Sequence, residues 1–276
     1  MFWALLITFL LTQRKKMDFT LRIYRKLLST LLHHGYQFLT FENYCTQSSD
    51  QCPKRFIILR HDVDLKAANS LRTAQIEHEL GISASYYFRV VPQSNQPEVI
   101  RAIAELGHEI GYHYEDMAIM HGDAEKALTH FQQQLAYFRQ YYPVRTICMH
   151  GAPTSKYDGR ELWKHYDYRE YGIIGEPYFD VDFSQMFYLT DTGRRWDGYK
   201  VSVRDKIPLY QDQWTAQGLV YRRTQQIVRA AQHDQLPLRI MITTHPQRWT
   251  DKTLAWAKEL LIQTLKNTIK RLFFVK

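Results

Sequence analysis

Phe56-Ile57-Ile58-Leu59-Arg60-His61-Asp62-Val63-Asp64 is the stretch on which the fold turns. Four apolar residues followed by a polar tip describe a buried strand that delivers charged groups at its end. Side chains alternate faces along a strand, so Asp62 and Asp64 point the same way if the extended geometry persists. The two carboxylates then share one small volume. Like charges that close raise the proton affinity of one of them unless a cation compensates, so the pair suits a metal ligand beside a general base. The competing reading makes Asp64 the N-cap of a helix starting near Leu65.

Outward from this strand, the pattern alternates. Before it, apolar residues from Asp18 to His34 recur at helical spacing, with Gly35 as the stop. After it come a helix over Lys66 to Leu80, a strand over Ala84 to Val90, a helix over Pro97 to Leu106 and a strand over His108 to Tyr112. A helix from Asp123 to Tyr141, a strand from Arg145 to Met149, a helix from Gly159 to Tyr166 and a short strand from Tyr171 to Ile174 follow. Glu176 to Arg204 breaks the rule with short β-like runs, Phe187 to Thr190 and Lys200 to Val203, and reads as a β-rich insertion over one end of the sheet. A helix over Thr224 to Gln232, the apolar strand Leu238 to Thr243 and a helix over Lys252 to Leu272 complete the chain. Such alternation predicts an α/β fold with a parallel sheet and crossover helices, with residues 17–276 as one domain.

Composition narrows the class. With 276 residues and 45% hydrophobic content, the chain can bury a sizeable core. Three cysteines, Cys45, Cys52 and Cys148, have neither disulfide-framework nor zinc-finger spacing, which favours a reducing, cytoplasmic setting. The 36 Lys+Arg against 28 Asp+Glu leave a net charge of +8, scattered except at Arg14-Lys15-Lys16, and no nucleic-acid module accompanies it. Phe2 to Thr12 is apolar but too short to span a bilayer, and it lacks the layout of a secretory signal. Met1 to Lys16 is therefore read as an extension outside the fold, with peripheral membrane contact its one membrane role and Met17 the functional start. No G-x-x-x-x-G-K-[ST] or G-x-G-x-x-G run points to a nucleotide, and no G-x-S-x-G elbow points to a serine hydrolase.

In parallel α/β sheets, ligands gather at the C-terminal ends of the strands. Four such ends carry acids or imidazoles: Asp62 and Asp64; His113, with Glu115 and Asp116; His150; and His245. A single histidine at a strand end is commonly structural. Four together match the Asp/His ligation of a hydrolytic divalent metal site.

His61-Asp62-Val63-Asp64 with Gly107-His108-Glu109-Ile110-Gly111-Tyr112-His113 resembles the polysaccharide deacetylase family, the NodB-homology carbohydrate esterases. The resemblance covers roughly Phe56 to Gln247. It implies a distorted (β/α) barrel of about seven strands and metal-dependent removal of an acetyl group from a sugar or polysaccharide precursor, with zinc as the metal. By the same resemblance Asp62 matches the catalytic base, Asp64 and His113 match metal ligands, and His245 of Thr244-His245-Pro246 matches the catalytic acid. Met149-His150-Gly151-Ala152-Pro153 falls where the family has an arginine-proline motif that contacts the base. The family's second metal histidine, four residues after the first, is replaced by Met117, a poor ligand for a hard ion. A third ligand must then come from elsewhere: His150 first, Glu115 next, with His121 farther along the loop. Trp196 and Trp249 are read either as a stacking surface for a sugar or as ordinary packing. Met117 also leaves open a metal-free, glycan-binding relative, and the fold alone leaves open a hydrolase of small amides.

Overall fold

The computed structural model describes residues 17–48, 51–152, 154–197 and 201–273. The extension over residues 1–16 lies outside them. In chain order the described elements are α1 (Leu21–His33), β1 (Gln37–Leu39), α2 (Phe41–Thr46), β2 (Phe56–Val63), α3 (Ala67–Glu79), β3 (Ser85–Phe88), α4 (Pro97–Glu105), β4 (Glu109–Tyr114), α5 (Asp116–Ile119), α6 (Ala124–Phe138) and β5 (Ile147–Met149). Then come α7 (Pro177–Asp180), β6 (Phe187–Thr190), α8 (Pro208–Ala216), α9 (Thr224–Gln232), β7 (Arg239–Thr244) and α10 (Thr253–Phe273).

All eight residues of β2 are buried, as its apolar run requires of a central strand. The strands form one parallel sheet in the order β5-β4-β3-β2-β7-β6. The short β1 pairs with Phe56–Ile58 of β2, and β3 takes over from Arg60 onward. The sheet curls, because Met149 at the end of β5 and Thr192 just past β6, on its two opposite edges, line one cavity. The result is an open, incomplete (β/α) barrel.

Local chemistry sets the boundaries. Thr20 caps α1 by accepting from Ile23 N at 3.2 Å, and Asp123 caps α6 by accepting from Lys126 N at 3.1 Å. Gly111 in β4 permits a close approach, since a Cβ there would stand 2.3 Å from the Tyr87 ring.

The sequence reading needs three corrections. Phe187–Thr190 is not part of an insertion: it is β6, a full parallel member of the sheet beside β7. Of Lys200 to Val203, Lys200 lies outside the described residues, and Val201–Val203 form turns and bends. Tyr171 to Ile174 forms no strand of its own; the neighbouring backbone is linked to β5 only through an isolated Thr146–Gly175 bridge.

Candidate metal centre

The strand β2 carries Arg60 and Asp62 on one face, and Asp64 follows one residue beyond its end. Helix α3 starts at Ala67 and has no side-chain cap, so Asp64 is not a helix cap. Its carboxylate points into the cavity instead. Gln247 Nε2 donates to Asp64 Oδ2 at 3.1 Å, whereas Asp64 Oδ1 is buried without a hydrogen-bond partner. A bare buried carboxylate oxygen is costly unless a cation or donor is to meet it.

Three imidazoles face that carboxylate, each held from behind. His113 Nδ1 lies 2.9 Å from Cys148 O, His150 Nδ1 lies 2.9 Å from Glu115 Oε2, and His245 Nδ1 lies 2.7 Å from Asp191 Oδ1. Carbonyls and carboxylates only accept, so each Nδ1 is the donor and each Nε2 is turned to the cavity. His113 Nε2 is 3.6 Å and His150 Nε2 3.4 Å from Asp64 Oδ1, and His245 Nε2 is 3.8 Å from Asp64 Oδ2. Two ligands about 2.0–2.2 Å from a tetrahedral zinc ion are separated by about 3.4 Å, close to the spacing of Asp64 Oδ1 with His113 and His150. Asp64, His113 and His150 could hold a metal ion, and the orphaned Oδ1 with two lone pairs facing it is a donor set suited to one.

A second grouping, Asp62 with His113 and Cys148, shares His113 with the first. Both oxygens of Asp62 are already taken by Arg60, which donates from Nε and Nη2 at 2.9 Å each. Burial pushes the Cys148 thiol well above its ordinary pKa. The Asp64 set is therefore the better one. Asp62 stays beside it, with Oδ2 3.8 Å from His113 Nε2.

Electrostatics tie the cluster together. Burial pushes the Asp64 carboxyl up, but His113, His150 and His245 outweigh it and hold the pKa well below the usual range. Burial pushes the His113 imidazole down, and Asp62 and Asp64 more than reverse this, leaving it raised.

Two supports escaped the sequence reading. Asp191, just past β6, is fully buried and accepts from His245 N and Nδ1, Arg248 Nη1 and Trp249 Nε1. Glu176 accepts from Met149 N at 3.0 Å and so fixes the backbone next to His150. Burial raises the Glu176 carboxyl to about 7.

The remaining candidates fall outside the cavity lining. Glu115 does not face the substrate side: Arg89 holds it in a two-pronged ion pair, and it orients His150. Trp196 and Trp249 form no stacking surface; they are 3% and 0% exposed, packed around Phe19. Trp249 reaches the site only through its bond to Asp191. Met117 is buried in the core. The cavity itself, about 90 Å³, is lined by Asp62, Asp64 and the three histidines, with Arg204, Arg248 and Lys270 among its other walls.

No family model and no curated protein matches the chain. Among solved structures, it is similar to a CE4 family pseudoenzyme from Bacillus anthracis, at 11% identity, over 77% of this chain and 62% of that one, with a TM-score of 0.43. It is also similar to the Xyl-CE4 domain of a multidomain xylanase from the hindgut metagenome of Trinervitermes trinervoides, at 12% identity, over 78% and 85% of the two chains, with a TM-score of 0.38. The chain thus spans less than two thirds of the first of these. Likenesses this loose carry no argument about chemistry, which rests on the side chains themselves.

Proposed function

We propose that this chain is a metal-dependent hydrolase of the polysaccharide deacetylase type, removing an N-acetyl or related acyl group from a sugar or polysaccharide precursor. The observation that supports it best is the unpartnered Asp64 Oδ1 faced by the Nε2 atoms of His113 and His150. A divalent ion, zinc by this donor set, would supply Lewis-acid polarisation of the acyl carbonyl and acidify the attacking water. Asp64, His113 and His150 would hold it. His150 then stands in for the histidine that Met117 replaces.

The rest of the chemistry falls to this chain's own groups. Asp62 accepts the proton of the attacking water; the Arg60 fork fixes the orientation of its carboxylate without blocking every lone pair. His245 presents Nε2 to the leaving amine, and Asp191 on Nδ1 fixes the ring and stabilises it once it carries the proton. Turnover would follow release of acetate from acetylated amino sugars. Asp62→Asn should lower kcat at least about 1,000-fold with metal content unchanged, because it removes the base and leaves the ligands. Activity within tenfold of wild type in that variant would contradict the assignment.

A further inference from the structure

Helix α10 is built the wrong way round for a helix on a protein surface. Such helices ordinarily turn their apolar stripe to the core. Here Trp256, Glu259, Gln263, Asn267 and Lys270 face the body of the molecule and bond or pack there. Trp256 Nε1 donates to Asp18 O at 2.6 Å, Glu259 pairs with Lys66 at 3.0 Å, and Asn267 Nδ2 donates to Gly193 O at 2.9 Å. On the outer side Leu254, Leu261, Leu265 and Leu272 are 88%, 72%, 63% and 70% exposed. At 3.6 residues per turn these four fall within about 40° of one another, a continuous ridge along the helix. Ile262 and Ile269 widen it.

A ridge of that extent calls for an apolar partner. Two features specify which. Lys258 lies among the leucines and Lys266 beside them, both exposed, so the ridge carries cations that a second copy's identical ridge would repel and anionic headgroups would accept. The chain also enters the fold at Asp18, against the first turn of α10, and the sequence before that point repeats the composition: apolar Phe2 to Thr12, then Arg14-Lys15-Lys16. The chain that precedes the described residues thus joins the fold beside α10 and has the same apolar-and-basic composition as its ridge. We propose that the outer face of α10 docks on an anionic lipid surface. Among the described residues no helix is long and apolar enough to cross a membrane, so this helix lies in the interface.

The test is co-sedimentation of the full chain with vesicles of phosphatidylethanolamine and phosphatidylglycerol, three to one, against vesicles of phosphatidylcholine alone. The wild-type chain should pellet with the anionic vesicles, and L261E/L265E should reduce the bound fraction about tenfold with an unchanged melting curve, since both side chains stand in solvent. A chain starting at Met17 should retain measurable binding. Three outcomes would overturn the proposal: equal binding by wild type and L261E/L265E, no binding by either, or a wild-type dimer by light scattering that L261E/L265E converts to a monomer.

Discussion

Two clusters of acids and imidazoles sit back to back on β2. On the cavity face are Asp62 and Asp64 with His113, His150 and His245; on the other face His61, one residue from Asp62, joins Glu77, His108, Tyr24 and Tyr86. Acids and imidazoles make up much of both; the Glu77 cluster is fully buried, whereas Asp64 and His150 of the cavity cluster are half-buried. They differ in completeness. Glu77 accepts from Tyr24 Oη, from Tyr86 Oη at 2.8 Å and pairs with His61 Nε2 at 2.9 Å, while His61 Nδ1 meets Thr244 Oγ1 at 2.6 Å. His108 Nδ1 accepts a hydrogen bond from Ala84 N at 3.2 Å and its Nε2 donates to Ala74 O at 3.0 Å, which fixes it as a neutral ring. In the cavity cluster the outward nitrogens are tied down just as firmly, yet the Nε2 atoms of His113 and His150 face an Asp64 Oδ1 that has no hydrogen-bond partner. A satisfied buried network fixes a core; one that leaves a carboxylate oxygen unpartnered opposite two imidazoles could hold a metal ion.

The contrast can be broken by experiment. Glu77→Ala takes the partner from three buried groups, Tyr24, Tyr86 and His61, and should cost about 3–5 kcal/mol of stability in urea denaturation, without changing metal affinity. A cost under 1 kcal/mol would mean that the Glu77 cluster is as incomplete as the other. Next in size is a pH effect. Burial raises the Glu176 pKa to about 7 from an unfolded value of 4.5, so the native state binds the extra proton between those limits. Stability from this group is therefore fully present below 4.5 and lost as pH climbs through 7, by about 3 kcal/mol. Glu176→Gln should flatten that segment of the stability curve, and an unchanged slope would refute the shift. Smallest is the response of chelator-stripped protein to added zinc, about 2.7 kcal/mol at a hundredfold excess over its dissociation constant. It should appear as a raised Tm in wild type and Glu77→Ala and vanish in Asp64→Asn.

The central strands were legible because two periodicities agree there. The apolar run of β2 and the two-residue alternation place Asp62 with Asp64, and the strand-end rule gathers His113, His150 and His245. The order of His150 before Glu115 rests on little in the sequence, since each directly follows one of two neighbouring strands, Glu115 after β4 and His150 after β5. The answer depends on Arg89, just past the end of β3, which draws Glu115 back behind His150. Asp191 stayed hidden because β6 has only four residues and is reached through turns and short helices, so its end was not recognised as a strand end. The tryptophans misled for an ordinary reason: aromatic side chains next to polar stretches look like binding surfaces, but Trp196 donates to Thr224 and Trp249 to Asp191 from inside the core.

Metal content by elemental analysis, on protein purified without chelator, tests the central claim most directly. One divalent ion per chain is expected in the wild type, with loss of the ion in both His113→Ala and His150→Ala and about a 10–100-fold weaker affinity in Glu115→Ala, which releases the His150 ring. Less than a tenth of an equivalent in the wild type, or full occupancy in His150→Ala, would contradict it.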